Sequence, residues 1–138
     1  MPDTLQLRII TPQGVAYQDE VQLVALRAPD GQISILPHHT RLMTQMLPGE
    51  LMVRKDSRDQ FLAVGEGLVE ISGKGVAIAT DMAIPAEDID EAKIEEARRR
   101  AEARLRDKIS DEEVASVNAS LARSLAQLHV KRRRRART

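Results

Sequence analysis

The 138-residue chain contains no cysteine, which excludes disulfides, thiolate zinc centres and cysteine nucleophiles and leaves any metal chemistry to His, Asp and Glu. Aromatic side chains are almost as scarce, with Tyr17 and Phe61 the only two. Nucleic-acid binding by base stacking needs aromatic platforms, so any such binding here would be purely electrostatic. There is no run of about 18 apolar residues and no secretory signal pattern, so a soluble intracellular chain is expected. Glycine-rich phosphate loops are also missing. The "GEG" at residues 65–67 lacks the further glycines and the lysine of such a loop, and Gly65 and Gly67 read as turn or bulge residues. No serine sits in a nucleophile elbow.

What is present divides the chain into two unlike parts. Formal net charge is zero, yet residues 1–85 carry 7 basic and 10 acidic side chains while residues 86–138 carry 14 and 11. In the first part the period is near two: Leu5, Leu7 and Ile9 alternate with Thr4, Gln6 and Arg8, the pattern of a half-buried strand. The runs "VQLVALRA", "ISIL", "LMVRK", "QFLAVG", "LVEIS" and "VAIAT" follow, separated by the turn signals "APDG", "LPGE", "KDSRD" and "SGKG". Many short strands predict an antiparallel β-sandwich of about ten strands, two stacked sheets being needed because one sheet would leave an apolar face in water.

From "PAEDIDEAKIEEARRRAEARLRDK" onward Ala, Glu and Arg replace β-branched residues, which predicts a helix from about Ile89. Asp88 is the expected N-cap with Glu91 completing a capping box, and Asp90 complements the helix dipole. A second box, Ser110 with Glu113, restarts a helix expected to run to about Val130. Its apolar stripe of Val114, Val117, Leu121, Leu125 and Leu128 faces a thinner one of Ile94, Ala97, Ala101 and Leu105. An alanine-rich seam removes little apolar area, so this C-terminal two-helix antiparallel hairpin should be marginal alone and able to detach. The organisation is then a β-sandwich over residues 1–85 and a hairpin over residues 86–138, with a self-repelling basic tail over 131–138 expected to fray.

Two features invite chemistry. His38 and His39 lack a third ligand, and neighbours on an extended chain point oppositely, so structural or contact roles outweigh a metal-dependent enzyme. Arg98, Arg99, Arg100, Arg104 and Arg106 interleave with Glu95, Glu96 and Glu102, which composition reads first as a solvated face of i to i+4 pairs. Arg123 and the "KRRRR" tail add uncompensated positive charge. That makes an acidic partner one hypothesis, and a nucleic-acid or anionic-membrane module another.

The order of motifs resembles the epsilon subunit of the bacterial F-type ATP synthase over nearly the entire chain. "DGQISILPHHTRLMTQMLPGEL" is similar to the family's loop motif at Gly31, Pro37, His39, Pro48 and Gly49. It departs at Gln32 for an acid, Ser34 for a glycine and His38 for a glycine. "LAVGEGLVEISGKGVAIATD", "AEDIDEAKIEEARRRAEARL" and "LARSLAQLHV" resemble the following hairpin and the two helices. The resemblance implies a noncatalytic rotor subunit, without cofactor, metal or nucleic acid. Its partners would be the gamma subunit, the membrane c-ring and the alpha/beta catalytic head. It would sit peripherally at the cytoplasmic face of the bacterial plasma membrane, as part of the complex.

By the same resemblance, Gly31, Gln32, His38, His39 and Thr40 would face the c-ring, where Gln32 hydrogen-bonds but supplies no charge. Arg98, Arg99, Arg100, Arg104 and Arg123 would meet an acidic segment of the beta subunit when the hairpin extends and blocks ATP hydrolysis. Some members bind regulatory ATP in the folded hairpin. Asp90, Lys93, Arg100 and Arg123 are the residues available for that here, with Ile89 also matching. Lys93 and Ile94 stand where the pattern has Arg and Ala, Ile84 where it has an acid, and Gln127 where it has an arginine.

Overall fold

The structure, a computed structural model, describes residues 3–137, with side chains described to Arg134. Ten strands form two five-stranded sheets. In chain order they are β1 (Leu5–Thr11), β2 (Gly14–Val21), β3 (Leu23–Ala28), β4 (Gly31–Ile35), β5 (Leu42–Met46), β6 (Gly49–Lys55), β7 (Arg58–Val64), β8 (Gly67–Ser72), β9 (Gly75–Thr80) and β10 (Ala83–Pro85). The first sheet has the order β2-β1-β9-β8-β5 and the second β10-β7-β6-β3-β4. Every ladder is antiparallel except that between β1 and β9, where Leu7 to Ile10 run parallel to Val76 to Ala79.

Alternation in β1 places Leu5, Leu7 and Ile9 inward as the period-two reading requires. They meet Val69 and Ile78 of their own sheet and Val24, Leu26, Leu51, Val53 and Leu62 of the other. Each fully buried aliphatic side chain contributes about 1.5–3 kcal/mol relative to exposure. In β7 the alternation is lost: Leu62, Ala63 and Val64 are all buried, because the second sheet is covered on both faces. Its outer face forms a second core, in which Ala63 lies with Met82, Ala86, Ile89, Ala126 and Val130, flanked by Phe61, Ile84 and Ile94.

The cover is the helical hairpin. A 3₁₀ turn, Ala86–Asp88, leads into α1 (Glu91–Arg106) and then α2 (Asp111–Arg137). The cap of α1 is Asp90, whose Oδ1 accepts from the Lys93 backbone N–H at 3.3 Å, and not Asp88. The reason is Ile89, held extended at φ −82° and ψ 121° and buried in the second core, so helical backbone cannot begin before Glu91. The second cap is as expected, with Ser110 Oγ accepting from the Glu113 N–H at 3.2 Å.

α2 continues well past Val130 to Arg137, and Lys131 to Arg134, which should repel one another, find partners described below. Leu125 is 50 % exposed instead of joining the stripe. α2 is wedged between α1 and the second sheet and buries one wide arc, running from Val117, Ser124 and Leu128 through Gln127 to Val130 and Ala126. Leu125 and His129 fall on the arc left to solvent. α1 has no buried residue, and Ile94, Ala97, Ala101 and Leu105 are half-buried along its α2 side. Among the described residues, no helix is long and apolar enough to cross a membrane.

Candidate functional site

β4 is an edge strand, and the loop after it crosses to β5, the edge of the other sheet. Gly31 opens β4 at φ +126°, and Gln32 stands exposed opposite Arg27. Past Pro37, His38 adopts φ +67°, the left-handed region that glycine occupies without strain and a β-carbon resists by about 1–2 kcal/mol. Its ring lies in solvent with Nε2 3.7 Å from an Asp3 carboxylate oxygen. The ring of His39 turns back instead: Nδ1 donates to the Thr40 carbonyl at 2.7 Å, and the His39 N–H donates to the Leu36 carbonyl at 3.2 Å. His38, His39 and Thr40 therefore form one compact turn. Gly31 and Gln32 sit at the other end of β4, a strand about 13 Å long at about 3.3 Å per residue. The five residues mark one edge of the sandwich rather than one point. Among the described residues no group of three or more His, Asp or Glu is arranged to hold a metal ion.

A second surface escaped sequence reasoning. Across the outer face of the first sheet, Val15 pairs with Ile10, Ile10 lies beside Ala79, and Ala79 pairs with Leu68. Val15, Leu68 and the nearby Met43 are 50 %, 56 % and 67 % exposed. The hairpin packs on β6 and β7 of the opposite sheet. The available signal was Ile10 following Ile9, with Val15, Leu68 and Met43 at outward positions of other strands. Without register these could not be joined.

On the hairpin, most of the expected basic face is internally paired. Arg98 reaches Glu95 at 2.5 Å and Glu102 at 3.7 Å, Arg100 reaches Glu96 at 3.2 Å, and Arg104 reaches Glu113 of α2 at 2.7 Å. Arg99 is exposed. Surface pairs of this kind are worth about 0–1 kcal/mol each, so an acidic partner can compete for them. Arg123 reaches Asp81 in the β9–β10 turn at 3.0 Å. Three of the four nucleotide candidates are thus engaged separately: Asp90 caps the Lys93 N–H, Arg100 pairs along α1, and Arg123 is tied to the sandwich, while the Lys93 side chain is exposed. Gln127 donates to the Met82 sulfur at 3.2 Å, and Ile84 packs against the second core.

The glycines of "GEG" have structural reasons. A β-carbon on Gly65 would overlap the Asp81 carboxylate, and one on Gly67 the Ala79 carbonyl. Titration shifts among the sandwich residues also have local causes. The Lys55 ammonium, then the Glu20 N–H, hold the Asp19 carboxyl below its usual range, and the Arg54 guanidinium does the same for Asp59. Partial burial raises the Tyr17 hydroxyl.

Comparison with known proteins matches residues 4–86 to the family described as "ATP synthase, Delta/Epsilon chain, beta-sandwich domain" and residues 87–132 to "ATP synthase, Delta/Epsilon chain, long alpha-helix domain". The ATP synthase epsilon chain of Hydrogenovibrio crunogenus is 35 % identical over 128 residues, which are 93 % of this chain and 89 % of that one. That of Halorhodospira halophila is 37 % identical over 127 residues, 91 % and 90 % of the two chains. Among solved structures, a chain of the Euglena gracilis mitochondrial ATP synthase (OSCP/F1/c-ring) is similar with a TM-score of 0.70 at 22 % identity, covering 88 % of this chain and 78 % of that one. A chain from the central stalk and c-ring of the Tetrahymena thermophila mitochondrial enzyme gives 0.61 at 12 % identity, covering 94 % and 97 %.

Proposed function

The chain belongs to the ATP synthase delta/epsilon-chain family, and from that premise we propose that it works as a noncatalytic central-stalk subunit. It couples proton or sodium flow to ATP synthesis and restrains ATP hydrolysis through its hairpin. The observation that carries this is the exposed apolar row Val15, Ile10, Ala79 and Leu68 on the uncovered sheet. A contiguous apolar patch on a chain with 30 % charged residues marks a protein interface, since burying it gains about 25 cal/mol per Å². The gamma subunit is the proposed occupant. The β4 edge with the His38–Thr40 turn then meets the c-ring, and Arg98, Arg99, Arg100, Arg104 and Arg123 meet an acidic segment of the alpha/beta head once the hairpin leaves the sandwich. The subunit carries no cofactor under this proposal and associates with the bacterial plasma membrane only through the complex.

The test is co-purification with gamma and c-ring subunits, followed by removal of the residues after Asp88. Retained assembly with raised ATPase activity of the isolated head is expected. Unchanged hydrolysis would remove the restraining role, and failure to capture gamma would remove the rotor assignment. A nucleic-acid or anionic-membrane module led by the tail draws less support, because Lys131, Arg132, Arg133 and Arg134 all contact the protein itself.

A further inference from the structure

Four consecutive cations near the end of α2 each reach a different anchor. Lys131 Nζ donates to the Ala86 carbonyl at 3.2 Å. Arg132 bridges to α1, with Nε 2.9 Å from Glu91 and Nη2 2.7 Å from Glu95, and these carboxylates, Glu91 first, hold its proton more tightly than usual. Arg133 Nη1 lies 3.2 Å from Glu50 on β6, and the Arg134 guanidinium lies over the Phe61 ring at 4.1 Å. One turn of helix thereby joins α2 to α1, to the turn before α1 and to the second sheet.

The Glu50 side chain is 12 % exposed, and its Oε2 is buried without a hydrogen-bond partner among the described residues. A carboxylate so placed depends on Arg133, since removing one partner of a buried pair leaves an uncompensated charge. The apolar contact holding α2 meanwhile has small side chains for half of its members, Ala63, Ala86 and Ala126, beside Met82, Ile89 and Val130, with Phe61 packed against them. Small side chains bury little area. α1 packs mainly on α2, so whatever holds α2 holds the whole hairpin.

We propose that Lys131 to Arg134 form an ionic clasp that locks the hairpin onto the sandwich, and that competing carboxylates of an acidic protein surface release it. The clasp itself needs no nucleotide: Arg123 pairs with Asp81, and Ile84 and Gln127 supply packing. The inference rests on the reading that the hairpin moves, and it specifies what governs the movement. Once released, the same cations join Arg98 and Arg104 as contacts for the acidic surface, so one set of charges stabilises both positions in turn.

The absence of cysteine permits a clean distance measurement. Gln13→Cys and Lys108→Cys, both at exposed positions, carry a donor and an acceptor dye on the full chain. Energy transfer characteristic of the closed hairpin is expected at low salt, with loss as NaCl rises to about 1 M, where the screening length is about 3 Å. Combined Arg132→Glu, Arg133→Glu and Arg134→Glu should raise the open fraction about tenfold or more, and millimolar ATP should leave it unchanged. Arg133→Ala should open the hairpin, and adding Glu50→Gln should close it again by removing the stranded charge. Circular dichroism checks that each variant keeps its helix and strand content. Unchanged transfer in the triple variant overturns the clasp, closure by ATP overturns its independence of nucleotide, and failure of Glu50→Gln to rescue overturns the Arg133–Glu50 anchor. Because transfer is read on the isolated chain, it can fail while the truncation still raises ATPase activity, or hold while the truncation does nothing.

Discussion

Arg123 Nη1 donates to Asp81 Oδ2 at 3.0 Å, binding the middle of α2 to the β9–β10 turn across 42 residues of sequence. The Asp81 carboxylate occupies the space that a β-carbon on Gly65 would take. A glycine in one turn is thus a condition for a helix-to-sandwich contact. An arginine expected to serve partners is, in this position of the hairpin, serving its own chain.

Gly65→Ala should turn the exposed Asp81 carboxylate aside and break the Arg123 contact, lowering stability by no more than about 1 kcal/mol. Arg123→Ala should cost no more than about 1 kcal/mol, because both side chains are 36 % exposed. Urea unfolding of the two variants checks that they match.

The cap of α1 separates two neighbouring acids. Asp90→Ala should cost about 1 kcal/mol by leaving the Lys93 N–H without its acceptor. Asp88→Ala, in the preceding 3₁₀ turn, should fall within about 0.5 kcal/mol of wild type. Helical ellipticity followed through thermal unfolding distinguishes them.

His38→Gly should stabilise the sandwich by about 0.5–1 kcal/mol. Removing the β-carbon relieves left-handed strain at φ +67° of about 1–2 kcal/mol, offset in part by the larger unfolded-state entropy of glycine. An increased urea midpoint with unchanged slope is the expected reading.

Ile10→Glu and Leu68→Glu place charge on the exposed apolar row. Each should leave the unfolding midpoint within about 0.5 kcal/mol of wild type. Together they should abolish capture by the gamma subunit. Capture at wild-type affinity would count against this face as the attachment surface.

Acid should weaken the sandwich through two carboxylates. The native-state pKa values of Asp19 and Asp59 are depressed, by Lys55 and Arg54 respectively. Their contribution is therefore complete above the unfolded value of about 3.9 and is lost as pH falls through the lower folded value. Lys55 is raised by Asp19, so its share is present below about pH 10.5 and fades as pH climbs through the higher folded value. Asp59→Asn should flatten part of the acid limb in urea midpoints measured from about pH 2 to 7.

Strands were legible where they are central. The apolar runs identify β1, β3 and β6 to β9 directly, along with β4, but not β2, β5 and β10, all of which lie at sheet edges. An edge strand pairs on one side and is partly wetted, so "GVAYQDEV" and "LMTQM" can be polar and still belong to the sheet. The start of the tail, Lys131 to Arg134, departs from expectation for a related reason, and the side chains beyond it lie outside the described residues. Charge repulsion within "KRRRR" is a local property, whereas Glu50, Glu91, Glu95 and Phe61 are 37 to 83 residues away along the chain.

From sequence alone come the change of period near residue 86, the sandwich-then-hairpin order and the Ser110 cap. These depend on backbone geometry between near neighbours, which side-chain type and spacing report. Tertiary structure alone decided that Ile10 and Leu68 share a face and that Gln32 and His39 lie at opposite ends of one strand. It also decided that α2 buries a wide arc reaching both α1 and the sheet instead of a narrow stripe, and that the arginines close on the sandwich. Those outcomes follow from register and from charges meeting across the fold, where the partner of each side chain is set by packing and not by its place in the chain.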